Sequence, residues 1–163
     1  MSPKPSFHSL FSLLGWIALT AAFAAVGAMG STQAPTFYAQ LDQPSWAPPT
    51  WLFGPAWTVL YLLMAVAAWR AVRSTTLAAA PAVRLYLIQL VLNALWSWLF
   101  FAWHQGAWAF ACIVALWLLI AATMAAFYRR DRLAGALMLP YIAWVTFAGA
   151  LCFTIWQRNP GLL

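Results

Sequence analysis

Negative charge is almost missing from this chain of 163 residues. Two acidic residues, Asp42 and Asp131, stand against eight basic ones, and charged residues make up 6% of the whole. Soluble domains carry about 25%. Asp42 lies between apolar runs and Asp131 sits in a turn among arginines, so no run has Asp, Glu, Lys or Arg in its middle. Ionisable groups within the membrane mark proton and ion pathways, and without them proton-coupled export has no machinery. Paired carboxylates, a Ser-His-Asp order, a glycine-rich phosphate loop and a His/Cys cluster are also missing. Conventional hydrolytic or metal catalysis therefore has nothing to work with, and no metal site is expected. The two cysteines, Cys112 and Cys152, lie inside apolar runs without a CxxC pair. They read as small core residues and are silent on redox compartment. Of the histidines, His8 offers little. His104, in a tight turn, is either an exposed turn residue or a lone iron ligand for haem.

Apolar residues are abundant instead, at 66%. A soluble fold of this length cannot hide that much apolar surface, so the chain reads as an integral membrane protein held by the lipid bilayer. The formal charge of +6 is not a nucleic-acid signal, because the arginines cluster at the ends of apolar runs. Five runs are long enough to cross a bilayer: about 7–29, 55–73, 83–103, 107–128 and 133–157. The first is longer than a signal-peptide core. No stretch alternates with the period of two of a membrane strand, so the expected architecture is all-α, a single five-helix bundle over 1–163. On the first helix, Gly15, Ala18, Ala22, Ala25 and Ala28 are expected to pack against a neighbour. Lys4, Arg70, Arg73, Arg84, Arg129, Arg130 and Arg132 fall on one side and Arg158 on the other. The N-terminus is expected in the cytoplasm and the C-terminus outside, in a bacterial inner membrane. Five helices cannot form two equal inverted halves, which argues against a common transporter plan.

The most distinctive stretch is Pro44–Tyr61, PSWAPPTWLFGPAWTVLY. Its prolines preclude a helix interior over the first half, while Pro55 suits a helix's first turn. It forms the end of a long loop, 30–54, that carries Trp46 and Trp51. On the third helix Gln89, Asn93 and Trp96 share a face at i, i+4 and i+7. They either hydrogen-bond between helices or hold the polar edge of a ligand. Tyr141, Trp144, Ala148 and Leu151 share a face of the fifth helix, and Trp57, Tyr61 and Met64 one of the second. Such stripes serve as core or interfacial belt, or they wall a binding site. Three ring-bearing faces beneath a stiff Trp loop suit a cavity for a flat, mostly apolar ligand.

The run Pro44-Ser-Trp46-Ala-Pro48-Pro49-Thr-Trp51-Leu-Phe53, followed by Trp57-Thr-Val-Leu-Tyr61, resembles the TspO/MBR family of tryptophan-rich sensory and translocator proteins. Gln89-x-x-x-Asn93-x-x-Trp96 and Pro140-Tyr141-x-x-Trp144-x-x-x-Ala148 resemble its other hallmarks. The resemblance implies a five-helix homodimer that binds tetrapyrroles such as protoporphyrin IX or haem as ligand, with no obligatory cofactor. It implies roles in transport, stress sensing or regulation of tetrapyrrole metabolism. Isoquinoline carboxamide drugs bind animal members. The sterol motif of those members fails near Arg158, where no Tyr follows Leu151, so cholesterol is not expected. By motif position Trp51, Asn93, Trp144, Phe147 and Ala148 fall in the ligand pocket. Trp51 and Trp144 match the pair implicated in light-dependent porphyrin breakdown by some bacterial relatives. Many members have Asn where Cys152 stands and Lys where Gln43 stands. Three readings follow: a tetrapyrrole-binding sensor or carrier, a photo-oxidative porphyrin-degrading enzyme, and a scaffold whose Trp loop docks a partner.

Overall fold

The computed structural model describes residues 7–73 and 80–163, with side chains from residue 10 onward. Lys4 and the His8 side chain lie outside the described residues. The long helices are α1 (Phe7–Gly30), α3 (Phe53–Arg73), α4 (Ala80–Ser97), α5 (Gly106–Tyr128) and α7 (Leu139–Arg158); the short α2 (Ala34–Gln40) and α6 (Arg132–Ala136) lie between them. Five helical segments are long and apolar enough to span a membrane. Lipid cannot hydrogen-bond a backbone, and each helix satisfies its own. The fold is an all-α, five-span membrane bundle.

The long first loop is not wholly irregular. Ala34–Gln40 coils into α2, with a proline in its first turn where a missing N–H costs nothing. Residues 41–49 stay non-helical, and a 3₁₀ turn at Thr50–Leu52 leads into α3. Asn159, just past α7, clasps the loop in both directions. The Asp42 N–H donates to its Oδ1 at 2.8 Å, and its Nδ2 donates to the Asp42 carbonyl at 3.2 Å. Arg158 adds an ion pair to Asp42 at 3.7 Å.

The last apolar run, expected as one helix, is split into α6 and α7. Pro140 has no N–H, and its ring would meet the carbonyl of Ala136, so the helix ends there and restarts. Asp131 caps α6 by accepting from the N–H groups of Leu133 and Ala134 at 2.8 and 3.2 Å. It also pairs with Arg70 of α3 at 2.8 Å. These bonds put Arg70 and Asp131 at one end of the bundle, and Asp42 and Arg158 at the other.

The packing face of α1 also differs from expectation. Gly15, Ala18, Ala22 and Ala25 are exposed, and no atom lies near Gly15. The helix instead packs through Trp16, Thr20, Phe23, Gly27 and Gly30. Thr20 shares a hydrogen bond with Tyr86 of α4 at 2.6 Å, and Trp16 meets the Tyr86 ring edge-on. A Cβ on Gly30 would lie 2.8 Å from the Trp98 ring. Larger and hydrogen-bonding side chains claimed the interface because they bury more area and leave fewer donors unpaired.

Candidate functional site

The helix α3 leans mainly on α1 and barely touches α4 and α7. The gap is a cavity of about 350 Å³ at the Asp42 end. Small side chains make the room: Ala24, Gly27 and Ala28 on α1, Gly54 at the start of α3, and Ala148 on α7. Rings make the walls: Tyr38 from α2, Phe53 and Trp57 from α3, Trp96 from α4, Phe101 beyond it, and Trp144 from α7. Exposed Ala28, Thr50 and Gly54 frame its open side. Phe101 reaches this wall because the third span ends in a π turn, Trp98–Ala102. That wider turn offsets the angular drift of successive +4 steps, keeping Asn93, Ser97 and Phe101 on one face.

Beneath the cavity runs a directed chain of hydrogen bonds. Tyr61 donates to Asn93 Oδ1 at 2.6 Å, Asn93 Nδ2 donates to the Tyr141 hydroxyl at 2.9 Å, and Tyr141 donates to Gln89 Oε1 at 2.9 Å. Three helices are knitted by four side chains. Polar groups at this depth need such partners, since lipid offers none. Trp57 stacks on Tyr61 with centroids 5.4 Å apart and meets Tyr141 edge-on.

Two wall donors lack a strong acceptor. The Tyr38 hydroxyl is buried without a hydrogen bond, and the buried Trp96 Nε1–H has only the Cys152 thiol, a weak acceptor, beside it; both residues line the cavity. An unmade buried hydrogen bond costs about 1–3 kcal/mol. Burial pushes the Tyr38 phenol above its ordinary pKa, so it keeps its proton.

The structure distributes the sequence candidates over three layers. Tyr61, Asn93, Trp96, Trp144 and Ala148 line the cavity. Gln89 and Tyr141 lie fully buried below it, joined to Asn93 through the chain above. Phe147 and Trp46 sit behind the wall: Trp144 packs on Phe147 and Phe147 on Trp46, each at 5.8 Å. Trp51 departs from expectation. It is 71% exposed and does not line the cavity. In a 3₁₀ turn residues i and i+3 eclipse, so Thr50 and Phe53 share the inward face and Trp51 is turned away. His104 is also outside the lining. It adopts a left-handed backbone, φ 53°, and stacks on Phe37 at 3.9 Å. Among the described residues no group of three His, Cys, Asp or Glu could hold a metal ion.

Sequence reasoning placed Trp57 on the ring-bearing face it shares with Tyr61, and the structure puts both in the cavity wall. It did not select Tyr38, Phe53 or the α1 residues for the site. Tyr38 was out of reach, because nothing in the loop's pattern announced a helix at Ala34–Gln40. Of the small residues on α1 expected to pack, Ala28 borders the cavity instead, beside Ala24 and Gly27.

A five-span helical membrane protein with a ring-walled hollow beneath a clasped loop is the class that fold and cavity define. Residues 16–157 match the TspO/MBR family, and the chain belongs to that family. Protein CrtK of Rhodobacter capsulatus is 40% identical over 143 residues, covering 86% of this chain and 89% of the relative. The tryptophan-rich protein TspO of Chlorobaculum tepidum is 42% identical over 147 residues, or 83% and 90%. The human translocator protein is 37% identical over 128 residues, 77% of this chain and 76% of its own length. Membership in this family, whose relatives include a tryptophan-rich sensory protein of Cereibacter sphaeroides and the translocator proteins, supports a role as a membrane sensor or translocator.

Proposed function

We propose that the chain is a tetrapyrrole-binding sensor or carrier whose cavity takes a flat macrocycle such as protoporphyrin IX or haem. The observation that carries this reading is the pairing of ring walls with two poorly satisfied donors, one bare at Tyr38 and one at Trp96 that meets only a thiol. Trp57, Trp96 and Trp144 offer planes for stacking. The Tyr38 hydroxyl and Trp96 Nε1–H offer hydrogen bonds to the carboxylates at a tetrapyrrole's edge, and Asn93 offers an amide. Where a guest supplies those acceptors, binding relieves the cost of leaving the donors poorly paired. The arginine distribution supports an N-terminus in the cytoplasm and a C-terminus outside. The exposed small-residue face of α1 supports pairing with a second copy.

Titration of the purified protein with protoporphyrin IX, followed by quenching of Trp fluorescence, tests this. Tyr38→Phe and Trp96→Phe each keep a ring and remove one donor. Each is expected to weaken binding about fivefold or more. Unaltered affinity in both variants, or no binding by the parent, overturns the reading.

The presence of Trp144 in the wall favours a second reading, photo-oxidative porphyrin breakdown. A photo-excited porphyrin can take an electron from an indole in contact with it, with dioxygen as the final oxidant. Illumination of the complex under oxygen discriminates. Porphyrin absorbance that decays no faster than in Trp144→Phe removes the enzymatic reading and leaves the binding one.

A further inference from the structure

At the Arg70–Asp131 end, away from the cavity, α5, α6 and α7 enclose a second, apolar groove. Met124, Tyr128, Ala136 and Leu139 line it, and Arg129 stands at its rim. Its volume is about 350 Å³. Two features of the backbone make it. The α6 main chain lies so close to Tyr128 that a Cβ on Gly135 would come within 2.5 Å of the Tyr128 Cβ. The helix then breaks before Pro140, and residues from both sides of that break, Ala136 and Leu139, line the groove. Tyr128 and Leu139 are each 53% exposed, and adjacent Leu133 is 51% exposed. In a bundle of five spans, lipid is the medium that meets this face.

The charge around the groove has one sign. Arg129, Arg130 and Arg132 follow the fourth span directly. The single acid nearby, Asp131, is occupied by Arg70 and by the two N–H groups it caps. Tyr128 ends the span Gly106–Tyr128, and Leu139, the first residue of α7, lies about two turns inside the span Arg132–Arg158. Arg129 is therefore at headgroup depth, with the apolar groove running inward from it. A basic rim over an apolar groove matches a phosphate joined to a hydrocarbon chain. We propose that this groove seats one acyl chain of an anionic phospholipid from the surrounding bilayer, with Arg129 holding the phosphate.

Native mass spectrometry of the full-length protein tests the assignment, with added phosphatidylglycerol or phosphatidylcholine of identical chains. Phosphatidylglycerol is expected to be retained in preference. Arg129→Gln is expected to reduce that retention about fivefold, the contribution of one arginine near an anionic surface. Ala136→Phe fills the groove with the arginine intact and is expected to reduce it as well. Arg158→Gln, at the opposite end, is expected to change nothing. Equal retention of the two lipids, or equal losses from Arg129→Gln and Arg158→Gln, overturns the proposal. So does displacement of the lipid by millimolar inorganic phosphate, which would mean that the site reads the headgroup alone.

Discussion

The two ends of this bundle are built from similar residues to opposite effect. Toward Arg70 and Asp131 the interior is solid, the groove there lying on the exposed face of α5, α6 and α7: Met64, Ala67, Ala68, Phe127, Ala134 and Met138 have almost no exposed surface. Toward Asp42 the same alanine-and-ring composition leaves a hollow, with two poorly paired donors in its wall. The difference lies in what faces each small residue. At the solid end, small residues meet close backbone and rings, as Gly135 meets Tyr128. At the hollow end Ala24 and Ala28 border the cavity, and nothing lies within 4 Å of a Cβ placed on Gly54. Dense packing gives stability, and vacancy with poorly paired donors gives a place for a guest.

Breaking the solid end should have the largest effect. Gly135→Val would drive a side chain into the backbone of Tyr128, costing about 3 kcal/mol, read as a large fall in thermal midpoint in detergent. Tyr141→Phe attacks the layer between the ends. It strands Asn93 Nδ2 and Gln89 Oε1 in the interior and should cost about 2 kcal/mol. Asp131→Ala removes a helix cap and a partly exposed ion pair together, for about 1–2 kcal/mol.

Asp131 also carries a pH dependence. Burial raises its carboxyl pKa, but the Ala134 N–H, the Arg70 guanidinium and the Leu133 N–H outweigh it and hold the group below the ordinary range. A depressed folded pKa means that the stabilisation is present above the unfolded value, about 3.9. It is lost as pH falls through the folded value. Thermal midpoints between about pH 6 and pH 3 should therefore fall further in the parent than in Asp131→Asn. Parallel curves would show that Asp131 does not couple stability to pH.

Much of this comparison was legible in the sequence. Five apolar runs, three of them ended by arginines, give five spans, and Pro44, Pro48 and Pro49 forbid a helix where none forms. The face shared by Gln89, Asn93 and Trp96 follows from helical spacing. It cannot say how deep each residue lies, and the structure puts Gln89 under the cavity and Trp96 in its wall. The split at Pro140 was readable from the proline itself, yet the apolar run continues through it and hides the break. Trp51 was misplaced because composition does not reveal a 3₁₀ turn, and in that turn one residue's shift decides which ring faces inward. The α1 stripe was legible as a small-residue face, but spacing does not say whether its neighbour belongs to the same chain, and within this chain the face is exposed.

The central claim is that the cavity, and not the exposed loop, is where a flat guest is held. Parallel protoporphyrin IX titrations of Trp144→Ala and Trp51→Ala test it most directly. The account predicts that Trp144→Ala loses about tenfold or more in affinity through lost stacking. It predicts that Trp51→Ala, whose ring is 71% exposed outside the lining, stays within about twofold of the parent. A larger loss from Trp51→Ala than from Trp144→Ala would contradict it.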